Sequence, residues 1–563
     1  MTPPRFRRSR ARLAALALSA IAGATLIAQA RPPVPASPST PPRLIVLLVM
    51  DQFPASYITL YGKQWTGGLR RMLDGGAVFT EARYPYALTF TCAGHSTIGT
   101  GAIPSVHGMM SNSFFDRAAN RTFPCMYDPK ATSVPFGGAK GQEHHSFRPM
   151  RAPAFAQMLR EQAPGQPQVV SLALKPRSAI GMGGSAGPGA TVVWEEDDGT
   201  WATSDAYTPV PWPDVDAFIR KNPLQQAYGA TWRKYNPDAT TYLFEDDAPG
   251  EAEPVPWKRT FPHELSSPSG KPDVTFVTAW ERSPWSDEYL VRMAMSLLQT
   301  RQLGSTKRTD MLAVSLPALD LVAHEFGPNS HEAQDVLMRA DALIGRLLEQ
   351  IDARVGQGNY VVAFSSDHGI ATLPERLVAE GKDAGRVSTT EIRNAVNAAV
   401  GKLLGATGTV TYVVTVYEQQ VVLTAGTMDK LRALPGALDA VKNAIKTAKG
   451  IAAAYAVDEI ASNRPSTDPF IGPWRMSLVR DRAGDFMFVP KPMWIVRGGT
   501  GTTHGTPYEY DQRVPLMLYG ARVKPGRYTT AASPADIAPT FGWFTRVTLD
   551  RATGRVLSEA LKR

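Results

Sequence analysis

The chain has 563 residues, 43% of them hydrophobic, and a formal net charge of +9. Five arginines lie within the first twelve residues, and without them the net charge is only +4. This mild excess, with no basic stripe interleaved with aromatic residues, excludes nucleic acid as a specific partner.

The N-terminus has the pattern of a secretory signal peptide over residues 1–30. The arginines precede the apolar run LAALALSAIAGATLIA, and the AQA of residues 28–30 fits a cleavage site. The alternative is a membrane anchor, but the run is short for a helix that needs ~20 apolar residues to span a bilayer. The proline-rich residues 31–42 are predicted to form an extended linker. We expect a periplasmic or secreted protein without stable membrane insertion after cleavage.

Three short apolar runs each end on an aspartate: RLIVLLVMD at Asp51, DMLAVSLPALD at Asp320 and YVVAFSSD at Asp367. Such runs are typical of strands buried on both faces of a parallel sheet. Carboxylates just past them would lie at the carboxyl edge, where open α/β folds bind ligands. His324 follows the second aspartate by four residues, and His368 directly follows the third. The pattern predicts a transition-metal site built from distant segments.

Further segments indicate the same architecture. QVVSLAL (168–174) predicts another buried strand, and RVPLMLYG (513–520) predicts a return to the core. The clearest amphipathic helix, VLMRADALIGRLLEQID, precedes the strand that ends at Asp367. This alternation predicts an α/β fold with a mostly parallel β-sheet flanked by helices.

One domain is predicted over residues 43–563, because the candidate ligands extend from Asp51 to His504 and one sheet must use both ends of the chain. Two stretches are interpreted as insertions into it, at about 185–285 and 375–495. The first is rich in Trp, Pro and acidic turns, and the second contains both an alternating, strand-like segment and a helical segment.

The segment FTCAGHSTIGTG suits the N-terminus of a helix around Thr91, because its small residues allow close backbone approach. The Thr91 hydroxyl could simply cap that helix, but beside a metal it could be deprotonated and act as a nucleophile. His504 lies in the loop GGTGTTHGTP, where it is either a solvent-facing residue or a late metal ligand. His95 and His107 are expected either to have structural roles or to support the metal ligands from behind.

Two further features leave alternatives open. Cys92 and Cys125 either form a disulfide or remain two buried thiols. The acidic turns WEEDDGTW and FEDDAPGEAEPVPW are either solvated or bind a structural Ca²⁺.

The order of these motifs along the chain resembles that of the alkaline phosphatase superfamily. The order is an early aspartate, Thr-x-x-Gly-His, Asp-x-x-x-His, Asp-His-Gly and a late histidine. Within the superfamily the chain is similar to the single-chain enzymes of the PafA and PhoK type, whose nucleophile is a threonine and whose fold resembles that of type I phosphodiesterases. The resemblance covers nearly all of the mature chain. It implies an exported alkaline phosphatase that hydrolyses phosphate monoesters through a phosphothreonine intermediate.

The resemblance also implies two zinc ions and their ligands. One ion would be held by Asp320, His324 and His504. The other would be held by Asp51, Asp367, His368 and the oxygen of Thr91.

The resemblance further implies a phosphoryl clamp. Lys175 and Arg177 in SLALKPRSAI match a Lys-x-Arg pair of that group, although Pro176 stands where the group often has Asp. Asn112 in MMSNSFFD matches an asparagine that contacts a phosphoryl oxygen. Outside this context, the two cations would be ordinary surface charges.

Charge matching favours a monoester. Two zinc ions would neutralise three carboxylates and one alkoxide, and the Lys-x-Arg pair would then match a phosphate dianion, since an unbalanced buried charge is expensive.

The alternative function is a phosphodiesterase or nucleotide pyrophosphatase of the same fold. A sulfatase lacks support because Cys92 is not in a C-x-P-x-R motif. A cofactor-independent phosphomutase does not suit export, and a non-catalytic metal-binding protein would not explain Thr91. The oligomeric state, the physiological ester and the native metal are not indicated.

Overall fold

The computed structural model describes residues 34–562, except for residues 186, 188, 189 and 409. The predicted signal peptide, residues 1–30, and the first part of the predicted linker lie outside the described residues. Within the described residues, no helix is both long and apolar enough to cross a bilayer.

A ten-stranded mixed sheet forms the centre of the molecule. Its five middle strands are parallel, and the strands on both sides of them include antiparallel pairs. From one edge to the other the strands are Gly526–Tyr528, Ala77–Phe79, Leu516–Gly520, Tyr360–Ser365, Leu44–Met50, Asp310–Leu316, Val169–Leu172, Thr191–Glu195, Trp201–Ser204 and Ser133–Pro135. The predicted α/β class with a mostly parallel sheet is confirmed.

Alternate residues of the central strand Leu44–Met50 face two separate layers, as the pleat of a strand requires. Leu44, Val46 and Leu48 pack in one hydrophobic cluster, and Ile45 and Leu47 pack in the other. Helices Gly68–Gly75, Pro284–Thr300 and His331–Val355 contribute to the first cluster. Helices Thr91–Thr100, Phe155–Gln162, Pro176–Gly183 and Ile537–Thr545 contribute to the second.

The register of the central strands brings their carboxyl ends together. Met50 pairs with Leu316 on one side, and Val49 pairs with Ser365 on the other. The Asp51 N–H donates to the Leu316 carbonyl over 3.0 Å. Residues just beyond three distant strands therefore meet at one edge of the sheet.

The prediction that the second apolar run extends to Asp320 is wrong. That strand ends at Leu316, and Asp320 lies in the first turn of the helix Ala318–Phe326. Pro317 separates the two elements, because it has no N–H with which to continue a strand ladder.

The two stretches interpreted as insertions differ in structure. Strands Thr191–Glu195 and Trp201–Ser204 belong to the main sheet, so the chain leaves the sheet later than position 185. Residues 191–204 were mistaken for part of an insertion because charged turn residues separate two short strands. Beyond them lie helices Pro213–Lys221 and Val274–Glu281.

The stretch 375–495 has its own hydrophobic cluster, which includes Val396, Val441 and Phe488. A four-stranded antiparallel sheet and two main helices surround that cluster. The strands, in sheet order, are Val413–Tyr417, Gln420–Leu423, Phe486–Pro490 and Ile451–Ala456, and the helices are Thr389–Leu403 and Ala437–Lys446.

Candidate active site

Three buried carboxylates meet at the carboxyl edge of the sheet. Asp51 and Asp367 follow central strands, and Asp320 reaches them from the helix that follows the third strand. The Lys175 ammonium joins two of them: its Nζ lies 2.7 Å from Asp51 Oδ2 and also contacts Asp320 Oδ2. The structure thus brings residues from four distant segments into one cluster.

Gln52 binds two of these carboxylates, and sequence reasoning missed it. Its backbone N–H donates to Asp367 Oδ1 over 3.1 Å, and its Nε2 donates to Asp320 Oδ1 over 2.7 Å. Its φ of +64° is unusual for a residue other than glycine. One sequence feature could have indicated Gln52: it directly follows an aspartate at the end of a strand. A turn at that place points backbone N–H groups into the site.

Three histidines each present the same ring nitrogen to the cluster. The Nδ1 atoms of His324, His368 and His504 lie 2.8, 3.0 and 2.8 Å from the backbone carbonyls of Thr502, Gly369 and Thr89. We assign the proton to Nδ1 in each ring, because a carbonyl only accepts hydrogen bonds. The Nε2 lone pairs are then free to bind a metal, as is typical when a backbone carbonyl orients a ligating histidine.

The predicted ligands are arranged as two adjoining groups. The donor atoms of Asp320, His368 and His504 lie within 4.8 Å of one another, as do those of Asp51, His95 and Asp367. The prediction had placed His324 in the first group and His368 in the second.

We favour His368 over His95 as a ligand of the second group. Both nitrogens of His95 already have partners, since Nδ1 lies 3.0 Å from the Thr91 carbonyl and Nε2 lies 2.8 Å from Ser315 Oγ. His368 Nε2 is 3.1 Å from Asp367 Oδ2 and 3.6 Å from Asp51 Oδ1. His324 Nε2, 3.2 Å from Asp320 Oδ1, then completes the first group.

Electrostatics indicates that the cluster suits cations. Burial, together with the Asp320 and Asp367 carboxylates, raises the pKa of Asp51 to about 7. Asp51 Oδ1 and Asp367 Oδ2 are buried without a hydrogen-bond partner among the described residues. Burial also lowers the pKa of His504 well below its usual range, with a further contribution from His368, so this imidazole stays neutral. Unpartnered carboxylate oxygens beside the neutral imidazole of His504 are donors that zinc prefers.

Thr91 begins the helix Thr91–Thr100 at the edge of this cluster. Its side chain is buried, and its Oγ1 lies 3.3 Å from His368 Nε2. A Cβ on Gly94 would lie only 2.6 Å from the Asp367 Cα, so the glycine allows this helix to approach the segment that contains Asp367. The hydroxyl is therefore at a helix N-terminus, where an anion is favoured.

Asn112 is held beside the start of the same helix. Its Oδ1 accepts a hydrogen bond from the Cys92 N–H over 2.9 Å, and its carbonyl accepts one from the Cys125 N–H over 2.8 Å. Cys92 and Cys125 form a disulfide, with Cα atoms 6.7 Å apart, so the pairing left open by the sequence is present in the structure. The Nδ2 group of Asn112 has no acceptor within the described chain and is available to a ligand.

The Lys-x-Arg pair lies at the start of the helix Pro176–Gly183. Burial lowers the pKa of Lys175, but Asp320 and Asp51 raise it, and the net shift is upward. The guanidinium of Arg177 forms no ion pair with any described residue, and its Nε is buried without a hydrogen-bond partner. Its positive charge opposes the rise in pKa that burial causes at Asp197 and at Glu418.

His107 has a structural role away from the cluster. Its Nε2 lies 3.0 Å from Thr97 Oγ1, and its Nδ1 accepts a hydrogen bond from the Met109 N–H. Burial lowers the pKa of His107 to about 3. A neutral, fully paired imidazole therefore packs against the helix Thr91–Thr100.

The acidic turns do not provide a third donor group. Among the described residues, only the two groups above place three donor atoms within 4.8 Å of one another. Glu195, the last residue of the strand Thr191–Glu195, is buried, and burial together with Glu281 raises its pKa well above the usual range.

Comparison with known proteins identifies the family and several relatives. A model of the family described as type I phosphodiesterase / nucleotide pyrophosphatase matches residues 45–513. A Myroides odoratus protein named calcium-transporting ATPase is 27% identical over 541 residues, which are 92% of this chain and 95% of that protein. Alkaline phosphatase PhoK from a Sphingomonas species is 27% identical over 543 residues, covering 92% of this chain and 91% of PhoK.

Alkaline phosphatase PafA from Elizabethkingia meningoseptica is similar in both sequence and structure. It is 27% identical over 537 residues, covering 93% of this chain and 95% of PafA. Its crystal structure superimposes with a TM-score of 0.83 over 94% of this chain and all of that one. The family resemblance predicted from the ordered motifs is confirmed.

Proposed function

Because this chain belongs to the type I phosphodiesterase / nucleotide pyrophosphatase family, we propose that it is an exported alkaline phosphatase that hydrolyses phosphate monoesters. The observation that carries this proposal is the position of Thr91. Its hydroxyl lies at a helix N-terminus, 3.3 Å from His368 Nε2, beside three buried carboxylates. The alkaline phosphatases PafA and PhoK, which are similar over most of the chain, support the same activity.

The donor set supports two zinc ions. Asp320, His324 and His504 would hold one, and Asp51, Asp367 and His368, with the Thr91 oxygen, would hold the other. When bound, such ions lower the pKa of a coordinated hydroxyl and stabilise the charge on a leaving oxygen.

The chain itself supplies the nucleophile and the clamp. Thr91 Oγ1 would lose its proton to water and attack phosphorus in line with the ester oxygen. The new Oγ1–phosphorus bond forms as the ester oxygen–phosphorus bond breaks, and the alcohol leaves with a proton from water. Water would then cleave the phosphothreonine bond and release inorganic phosphate. Asn112, Lys175 and Arg177 would hold the equatorial oxygens, over which charge is spread in the loose transition state.

The cationic groups favour a monoester over a diester. The Arg177 guanidinium has no acceptor within the described chain and can bind two oxygens at once. A monoester dianion offers it two charged oxygens, whereas a diester has one charge fewer and a second substituent. A phosphodiesterase remains the second candidate, because the family includes such enzymes.

Two other candidates have less support. A sulfatase would need a free cysteine or serine as precursor of its catalytic group, but Cys92 is in a disulfide. A non-catalytic metal-binding protein would not need a threonine hydroxyl at the metal ligands. The disulfide also supports an exported location, because such bonds persist in oxidising compartments.

A paired assay tests the proposal. The purified protein, loaded with zinc, should hydrolyse a nitrophenyl phosphate monoester with a higher kcat/KM than the bis(nitrophenyl) diester. Thr91→Ala should lose at least about a thousandfold in monoester turnover, as expected when a covalent nucleophile is removed. The exposed Thr59→Ala is the matched control and should retain full activity. Near-wild-type turnover by Thr91→Ala would contradict the proposed mechanism, and a preference for the diester would favour the second candidate.

A further inference from the structure

A turn from the stretch 375–495 reaches the predicted phosphoryl clamp. Glu418 and Gln419 join the strands Val413–Tyr417 and Gln420–Leu423. Both have positive φ values, 43° and 58°, in a two-residue turn where glycine or asparagine is usual. The left-handed region is unfavourable for residues other than glycine, so another interaction must favour this conformation.

The carboxylate of Glu418 binds the segment around Asn112. Its Oε2 accepts a hydrogen bond from Ser111 Oγ and a longer one, 3.4 Å, from the Ser113 N–H. The backbone N–H of Asn112 also faces this carboxylate. Gln420, from the same hairpin, lies 3.5 Å from Ser111 Oγ through its Nε2. Side chains from one hairpin therefore hold both neighbours of Asn112.

The remaining polar groups of Asn112 are also paired. Cys92 N–H binds its Oδ1, and Cys125 N–H binds its carbonyl. Glu418 faces its backbone N–H, so the Nδ2 group alone is left to bind a ligand. The orientation of that donor depends on every one of these contacts.

We propose that Glu418 is a positioning residue for the phosphoryl group: it fixes the Ser111–Ser113 segment so that Asn112 Nδ2 points at a substrate oxygen. This inference rests on the proposed function, and it assigns a residue of the inserted sheet to the phosphoryl site. Glu418 acts through Asn112 and does not itself touch the reacting atoms.

Glu418 holds this segment by accepting hydrogen bonds, and its negative charge is not required. The charge of Arg177 acts on the pKa of Glu418, but the two side chains form no ion pair in the described structure. A neutral amide in the same place can accept the hydrogen bonds from Ser111 and Ser113. Glu418→Gln should therefore preserve the positioning, while Glu418→Ala should remove it.

A double-mutant cycle on the zinc-loaded protein tests the inference with nitrophenyl phosphate. Asn112→Ala should lower kcat/KM at least about tenfold, because it removes a hydrogen bond to a charged phosphoryl oxygen. Glu418→Ala should lower it about five- to tenfold, and Glu418→Gln by less than about threefold, since the amide keeps the acceptor. The double variant Glu418→Ala/Asn112→Ala should be no slower than Asn112→Ala, because the first residue acts through the second.

Zinc content, the inhibition constant of inorganic phosphate and the melting temperature complete the experiment. Zinc should stay at the wild-type level, and phosphate should bind more weakly to Glu418→Ala. The exposed Glu391→Ala is the control and should match the wild type. Losses that multiply in the double variant, or a Glu418→Gln variant as slow as Glu418→Ala, would overturn the inference while leaving the proposed function intact. Failure of the proposed function would show instead as a wild-type protein without monoester turnover.

Discussion

The imidazole rings of His368 and His504 are stacked, with centroids 3.5 Å apart and planes inclined by 15°. Two imidazolium rings would repel one another in this arrangement, and the low pKa of His504 keeps that ring neutral. Each Nδ1 binds a backbone carbonyl, so both Nε2 atoms are presented to the same region. The stacked pair brings the two proposed metal groups into contact.

Chelation should therefore inactivate and destabilise the protein together. Removal of metal by EDTA leaves three buried carboxylates with the Lys175 ammonium as their one lysine partner among the described residues. Both activity and melting temperature should therefore fall, the latter by several degrees. Elemental analysis before and after dialysis, with scanning fluorimetry, measures both effects. Added zinc should restore them in parallel. An EDTA-treated sample that lacks zinc but keeps full activity would be incompatible with the proposed site.

Gln52→Ala should weaken the metal site. The variant removes the Nε2 donor that holds Asp320, and loss of such an outer contact typically costs about 10–100-fold in metal affinity or activity. Competition with a zinc-binding dye gives the affinity, and nitrophenyl phosphate turnover gives the activity. Gln225→Ala, on the exposed surface, is the control. If zinc affinity and turnover both remain within twofold of wild type, Gln52 does not orient the ligands.

Arg177→Ala should change substrate preference. The guanidinium is expected to bind charge that only a monoester dianion provides, so monoester kcat/KM should fall about a hundredfold and diester kcat/KM by less than about tenfold. The measurement is kcat/KM for a nitrophenyl monoester and its bis-ester with wild type and variant. Lys221→Ala, an exposed cation on a helix, is the control. Equal losses on both esters would argue against a phosphoryl clamp.

Replacing the disulfide should lower stability. Cys92 and Cys125 are 33 residues apart, and a crosslink of this span contributes about 3–4 kcal/mol in the chain-entropy model. Denaturant unfolding of zinc-saturated Cys92→Ser/Cys125→Ser, compared with wild type, measures the change. Because Cys92 N–H holds Asn112, monoester turnover should also decrease. Identical unfolding curves in the presence and absence of a reductant would show that the bond does not form.

Glu251 should make stability depend on pH. Burial, with a contribution from Glu332, raises the pKa of Glu251 to about 9, and neither of its carboxyl oxygens has a hydrogen-bond partner among the described residues. The folded state thus keeps a proton that the unfolded chain releases above its ordinary pKa of 4.5. The contribution of Glu251 to the free energy of unfolding is complete below pH 4.5. It decreases as the pH rises toward 9, by about 1.4 kcal/mol per pH unit.

Glu251→Gln should remove this dependence, because the amide resembles the protonated acid. The variant should be more stable than wild type at pH 8 and similar to it at pH 5, whereas the exposed Glu253→Gln should follow wild type at both. Melting temperatures at the two pH values test this. A variant that is less stable at pH 8 would show that the ionised carboxylate is used in the folded state.

Much of the cluster at the sheet edge was predictable because its residues occur in short, ordered motifs. Asp51 and Asp367 end continuous apolar runs. Such runs are typical of strands buried on both faces of a parallel sheet. The structure places both at the predicted edge. The order of Thr91, Asp320 and His504 along the chain then indicated the family, which the comparison confirms.

Other residues of the site carry no motif. Gln52 acts through a positive φ and an amide that reaches Asp320, and neither property is visible in the letter sequence. Glu418 lies more than three hundred positions from the serine it binds. The strands Thr191–Glu195 and Trp201–Ser204 were misplaced because an acidic turn separates strands too short to show a clear periodicity.

The sequence by itself determined the α/β class, the family and the types of side chain available for a bimetallic site, since these depend on local periodicity and on the chemistry of residues in fixed order. Only the tertiary structure decided which nitrogen of each histidine faces the cluster, that Cys92 pairs with Cys125, and that Gln52 and Glu418 join the site. Those features depend on hydrogen bonds and packing between segments far apart in the chain, whose relative positions are set when the whole sheet and its insertions have folded.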